Sequence, residues 1–371
     1  MQTLTVNTKK FSHAVKTSSI FCGANSLMPV LDCVLLKVKN GKAHIMSSDT
    51  ESYIASSVDT ESSSGDFGFC VNGKDFNKLL SLIRDENIVI EMDESDMKIN
   101  VIHSKGSSTL PIFGESEFPM CKITGEASTF SVSSEKMSEI LKLSKECVGT
   151  DPMRLAMTGI FINISNGKAE TCATNATILL SDSIELESHD GTQSSMILGS
   201  KTFNGIMEVC KGGDSVSVSN HDNVAVFKCG GNFAVIRKIE AKYPNYKAVI
   251  PKTDGYDKIY TFSKKDFIDA AKRCLISSSS LVARISCENG KMTMSSADIE
   301  FSKKTSENIE SSGDGKIEFG VNLSYIIVCL GLLTGDMVTF KLTNPQRAIL
   351  ISDETEKPDR SIILMPANVN Y

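Results

Sequence analysis

Side chains able to do chemistry are plentiful in this chain, yet few stand at spacings that make a reactive centre. The five histidines, at 13, 44, 103, 189 and 221, show no metal-ligand spacing and no H-E-x-x-H run. The eleven cysteines, at 22, 33, 70, 121, 147, 172, 210, 229, 274, 287 and 329, contain no C-x-x-C pair. Their odd count and even spread predict reduced, mostly buried thiols, not a disulfide framework or a zinc site. No G-x-x-x-x-G-K-[ST] phosphate loop occurs, and Gly313-Asp314-Gly315-Lys316 and Gly230-Gly231 read as turns. Serine and aspartate abound without a G-x-S-x-G elbow. Acidic residues such as Asp93 and Asp96 come as turn formers. No metal, cofactor or catalytic residue is expected. A hydrolase whose carboxylates carry no local signature is the remaining enzymatic alternative.

What remains is charge. Six windows with helical patterning, 7–19, 72–84, 133–147, 200–211, 263–276 and 322–335, together carry +8. The chain as a whole is −6, so everything outside them carries −14. The cations are Lys9, Lys10, Lys16, Lys74, Lys78, Arg84, Lys201, Lys264, Lys265, Lys272 and Arg273, offset in part by acids. If the helices share one side, that side attracts phosphate and the opposite side repels it. No aromatic platform or base-reading motif accompanies them, so the expected contact is to a backbone, independent of base sequence.

The elements that would position these lysines repeat. Asn-Gly is the strongest short hairpin signal, because both central residues of a type I′ turn need positive φ. Three Asn-Gly-Lys tripeptides begin at Asn40, Asn166 and Asn289, spaced by 126 and 123 residues. A second set of turns, at 93–96, 219–222 and 343–346, keeps the same beat. Three units of roughly 125 residues therefore fill the chain. Each divides again. Phe11, Phe76, Met137, Phe203, Phe267 and Tyr325 each have apolar residues three and four places on, the stripe of a helix buried on one side. Candidate N-caps stand just before them: Asn7 or Thr8, Asn72, Ser133 or Ser134, Ser200, Ser263 and Asn322. The reading is α+β: three repeated domains, each of two halves that pair a helix with antiparallel strands. Joins are expected near 124–128 and 252–256, giving domains 1–127, 128–254 and 255–371.

With 41% apolar and 23% charged residues over 371 positions, the chain reads as an ordinary globular protein. Its longest strongly apolar run, Ile326 to Leu333, is far short of the ~20 residues that span a bilayer. The first residues show no basic stretch followed by an apolar one. A cytoplasmic protein without a membrane partner is expected.

Several runs resemble the bacterial DNA polymerase III beta sliding clamp family over the whole length. They are Met28-Pro29-Val30-Leu31, Phe118-Pro119, Thr171-Cys172-Ala173-Thr174-Asn175, and Phe319-Gly320-Val321-Asn322-Leu323-Ser324-Tyr325. The terminal Leu364-Met365-Pro366 belongs with them, and Tyr243-Pro244-Asn245-Tyr246-Lys247-Ala248-Val249-Ile250-Pro251 is the most specific. The resemblance implies a DNA clamp fold: a head-to-tail homodimer of six domains closing a ring around duplex DNA. It implies a non-catalytic processivity factor that tethers the DNA polymerase III alpha subunit. It also implies docking of the clamp loader, other DNA polymerases and repair proteins through a peptide pocket. By alignment the pocket comprises Met157, Thr174, Ala176, Thr177, Ile178, Leu179, Pro244, Val249, Ala348, Ile363, Met365, Pro366 and Ala367. Leu110, Leu275 and Ile276 fall at the implied dimer interface. The chain departs from the family where Asn175-Ala176-Thr177-Ile178 replaces an Asp-Gly-His/Tyr-Arg run, and where Asn25 and Asn368 replace basic residues. These changes imply a less polar pocket and weaker attraction for DNA. A protein-interaction scaffold of the same fold with little DNA affinity is the alternative.

Overall fold

The Asn-Gly turns adopt the backbone their chemistry favours. Asn40 and Gly41 have φ of 51° and 71°, and Asn166 and Gly167 have 52° and 75°, the left-handed pair a two-residue hairpin requires. The first turn joins Cys33–Lys39 to Lys42–Ser48, with Lys39 opposite Lys42. The third joins Val282–Glu288 to Lys291–Asp298, with Glu288 opposite Lys291. The second set of turns closes through side chains. Asp93 Oδ1 accepts from the backbone N–H of Ser95 at 3.0 Å and of Asp96 at 3.2 Å. Asn344 Oδ1 accepts from Gln346 and Arg347, each at 3.0 Å.

The computed structural model describes residues 1–23, 28–250, 256–288, 290–313, 315–355 and 359–369. Asn25, Pro251, Asn289, Asp314, Tyr371 and the expected join at 254–255 lie outside them.

Among the described residues, six α-helices occupy the six charged or apolar windows: α1 (Thr8–Ser18), α2 (Gly73–Leu82), α3 (Ser134–Lys145), α4 (Phe203–Cys210), α5 (Lys264–Leu275) and α6 (Leu323–Gly331). Asn7, Asn72, Ser263 and Asn322 cap α1, α2, α5 and α6, each accepting from the N–H three residues on. Ser133 does the same for α3 at 3.5 Å. Ser200 departs from the expectation. A 3-10 turn, Ser200–Thr202, precedes α4, and Phe203 donates to the Ser200 carbonyl, so no side chain caps that helix. The apolar stripe holds in five helices. In α6 the buried residues are Leu323, Ile326, Cys329 and Leu330, and Tyr325 is only half-buried. That helix is apolar all round, so the spacing alone did not reveal which face turns inward.

The chain divides into two compact units, one of residues 1–139, 164–167 and 185–240, the other of 140–163, 168–184 and 241–371. The first unit contains a 14-stranded sheet. Its middle is the pairing of Tyr53–Asp59 with Asn232–Arg237, Val235 opposite Tyr53, which joins strands of the first repeat to strands of the second. Helices α1 and α2 bury Phe11, Ala14, Val15, Phe76 and Leu80 against Val34, Leu36, Phe69 and Val71 of this sheet. Phe11 and Phe76 meet edge to face at 5.9 Å. In the second unit, Ile178–Glu185 pairs with Ser361–Leu364, which continues into Ile349–Asp353, Met337–Leu342 and Lys258–Ser263. Phe262, Phe267 and Phe340 form the aromatic centre of its core, with ring centroids 4.6–5.4 Å apart.

Candidate nucleic-acid face, partner pocket and strand edges

Burying one stripe of each helix leaves the lysines on the other side. Lys9, Lys10, Lys16, Lys74, Lys78, Arg84, Lys201, Lys265, Lys272 and Arg273 are all exposed. Within the first unit α1 packs against α2 and also meets α4, so five of the lysines ride on neighbouring helices and Lys201 sits on the turn before the third. Two cations of the expected set are already engaged. Lys264 is half-buried and donates to the Leu333 carbonyl at 3.2 Å. Arg273 forks onto Glu307, Nε to Oε1 at 2.9 Å and Nη2 to Oε2 at 2.8 Å. The paired charges hold the Glu307 carboxyl below, and the Arg273 guanidinium above, their ordinary ranges. Arg273 therefore offers less charge to a phosphate than its exposure suggests.

The pocket residues all fall in the second unit. Strand alternation sorts them by face. Ile178 opposite Leu364, and Leu180 opposite Ile362, point into the helix-packed core. Leu179 opposite Ile363 lies between these pairs and so faces the other side. Ile178 belongs to the core, while Leu179 and Ile363 form the floor of the opposite face. Thr174, which follows core Ala173, shares that face. An Asx turn shapes its rim: Asn175 Oδ1 accepts from Thr177 at 2.9 Å and Ile178 at 2.8 Å, with Ala176 at φ 76°. The C-terminal run is tied alongside. Met365 N–H donates to Thr177 O at 2.8 Å, and Ala367 N–H to Gly320 O at 2.9 Å. Met365 and Val249 are exposed, Met157, Thr177, Pro244, Pro366 and Ala367 half-buried, and Ala348 buried. An open cleft beside them is lined by Met157, Asn175, Tyr325, Val148, Glu146 and Arg154.

Sequence reasoning missed what stiffens this surface. Phe161 stacks on Tyr243 at 5.0 Å, and Tyr246 meets both rings edge-on. Tyr243 donates its hydroxyl to Cys172 O at 3.1 Å. Burial raises both phenols, Tyr246 to about 12, so they are neutral supports. The Tyr-Pro-Asn-Tyr run was visible; its partner Phe161, some eighty positions earlier, was not.

Each unit also leaves a strand edge open among the described residues. In Gly106–Gly114, residues 112–114 pair with Phe67–Asn72 and residues 106–111 with Lys98–His103. Each stretch thus has one neighbour. In Lys303–Ser312, residues 303–310 pair with Lys291–Asp298 alone. Leu110 and Leu275 are half-buried against the cores of their own units, and Ile276 is 75% exposed.

All eleven cysteines are free thiols, nine of them buried. Burial pushes Cys22, Cys70, Cys147, Cys172 and Cys287 up to about 12, which suppresses thiolate chemistry. Among the described residues, no group of His, Cys, Asp and Glu could hold a metal ion, and no helix is long and apolar enough to cross a membrane.

Family models for the N-terminal, central and C-terminal domains of the DNA polymerase III beta subunit match residues 2–122, 131–245 and 247–368. The beta sliding clamp of Helicobacter pylori is 23% identical over 363 residues, covering 95% of each chain. That of Pseudomonas aeruginosa is 22% identical over 351 residues, 91% of this chain and 92% of the relative. Among solved structures, the DNA polymerase III beta subunit of Thermotoga maritima superposes with a TM-score of 0.91 at 18% identity over the full length of both chains. The Pseudomonas aeruginosa sliding clamp bound to griselimycin gives 0.92 at 18% identity, over 99% of this chain and 100% of that one. The fold is the three-domain sliding-clamp fold, and the chain belongs to the DNA polymerase III beta subunit family.

Proposed function

We propose that this chain is a DNA sliding clamp, a non-catalytic processivity factor acting in the cytoplasm. Two copies join head to tail, enclose duplex DNA, and tether the replicative polymerase to it. The domains are 1–127, 128–254 and 255–371, a division supported by the spans of the three family models. The observation that carries the reading is the placement of charge. Exposed lysines ride on the helices, while the remainder of the chain is strongly acidic. Lys9, Lys10, Lys16, Lys74, Lys78, Arg84, Lys201, Lys265 and Lys272 face the DNA. A ring holds by enclosure, so shallow, nearly equal phosphate contacts suffice and leave the ring able to slide.

The surface around Leu179, Ile363, Thr174, Val249 and Met365 receives an aliphatic or aromatic anchor from a partner peptide. Its partners are the polymerase alpha subunit, the clamp loader, and other polymerases and repair proteins. Two open edges, one in each unit, support head-to-tail closure, because closure covers both kinds of edge and leaves none exposed. Leu110, Leu275 and Ile276 lie at that joint.

The deciding experiment loads the protein onto a nicked circular plasmid with its cognate loader and ATP, then filters the mixture by size. Protein should co-elute with the circle and be lost once a restriction enzyme cuts it. Equal retention on circular and linear DNA would mean ordinary binding and refute enclosure.

A further inference from the structure

The open edge of the second unit is unusual in how its charges are disposed. Glu307, near the middle of Lys303–Ser312, is turned back onto Arg273 of α5 by two hydrogen bonds. Glu310 stands opposite Lys291, and Lys303 opposite Asp298. Lys303 also covers the Phe301 ring at 5.4 Å. Lys304 faces Ala297. The open edge of the first unit, Gly106–Gly114, contains no charged residue at all. No acid on one edge is thus left to meet a base on the other.

Apolar surface is present instead. Ile276, Ile299 and Phe301 are 75%, 74% and 68% exposed. They gather at one end of the strand. Ser277 donates to Thr305 Oγ1 at 2.6 Å, which brings the end of α5 beside the strand's first residues. The 299–302 turn leads directly into that strand, with Phe301 N–H donating to Asp298 Oδ1 at 3.2 Å. Three large, exposed apolar side chains beside an unpaired edge mark a surface that another chain covers.

We infer that this surface takes the neutral Gly106–Gly114 edge of a second copy, and that the joint is held by backbone pairing and by Ile276, Ile299 and Phe301, without an ion pair across it. The inference rests on the head-to-tail reading above and adds how the joint is held. Arg273 is here a positioning residue. By holding Glu307 inward it keeps an unpaired carboxylate out of a seam that excludes water.

Sedimentation of the full chain tests this. The dimer dissociation constant should change by less than about threefold between ~0.05 M and ~1 M sodium chloride, since no exposed ion pair is there to be screened. Weakening by about tenfold or more would overturn the inference while leaving the ring intact. A chain monomeric at every concentration would instead sink the head-to-tail reading itself. Phe301→Glu and Ile276→Glu should each weaken the dimer at least about tenfold, as charges placed in a dry contact do. Phe301→Ser provides a milder variant, and circular dichroism confirms the fold of each. Glu307→Gln should leave the dimer within about threefold of the parent; a tenfold loss would mean that Glu307 reaches across to the partner, overturning the inference.

Discussion

At the scale of single residues, the pocket depends on an ion pair that the sequence kept hidden. Arg360 Nε donates to Asp182 Oδ2 at 2.6 Å, with side chains only 11% and 6% exposed. Beside it Asp359 Oδ2 accepts from Ser183 Oγ at 2.9 Å and Lys168 Nζ at 3.3 Å. These contacts moor the strand carrying Ile363 to the strand carrying Leu179. Arg360→Met removes one partner and strands the other's charge in a buried site. It should destabilise the protein by about 3–5 kcal/mol, read as a lowered denaturation midpoint. Asp182→Asn with Arg360→Met should recover much of that loss; a single Arg360→Met variant as stable as the parent would refute the role. The same limit affected Arg273. Its exposure follows from its place on α5, but its pairing with Glu307 joins residues 34 positions apart, and no local pattern announces such a contact.

At the scale of elements, helix starts and hairpins were legible because their causes are local. Asn7, Asn72, Ser263 and Asn322 cap because their short polar side chains reach an unpaired N–H within one turn. Asn40-Gly41 turns because both residues accept positive φ. Gly320 shows the opposite case. A Cβ there would collide with the Ala367 carbonyl and the Val369 side chain, so this glycine lets the C-terminal run lie against Lys316–Asn322. Gly320→Ala should displace residues 365–367 and weaken binding of an apolar-anchored partner peptide about tenfold, about 1.4 kcal/mol, in a fluorescence-polarisation titration. Gly331→Ala is the control, since a Cβ there meets nothing within 4 Å. Peptide affinity unchanged in the Gly320 variant would detach the C-terminal run from the pocket.

At the scale of the whole molecule, the lysines act as a set. Replacing Lys9, Lys10, Lys74 and Lys78 by Gln should make the fall of duplex affinity with salt shallower, by up to about 0.9 in the logarithmic slope for each phosphate no longer neutralised. Dimer affinity should stay as it was. An unaltered slope would place the DNA elsewhere. The composition and periodicity of the chain by themselves determined the threefold repeat, the helices and hairpins, and the separation of basic helices from an acidic remainder, because turn chemistry, helical stripes and charge are carried by residues within a few positions of one another. Only the tertiary structure decided which strands pair over long separations, that Leu179 and Ile363 share one face while Ile178 turns to the core, and that Glu307 is claimed by Arg273. Those outcomes depend on sheet register and on packing between distant segments, where shifting a strand by one residue exchanges its two faces.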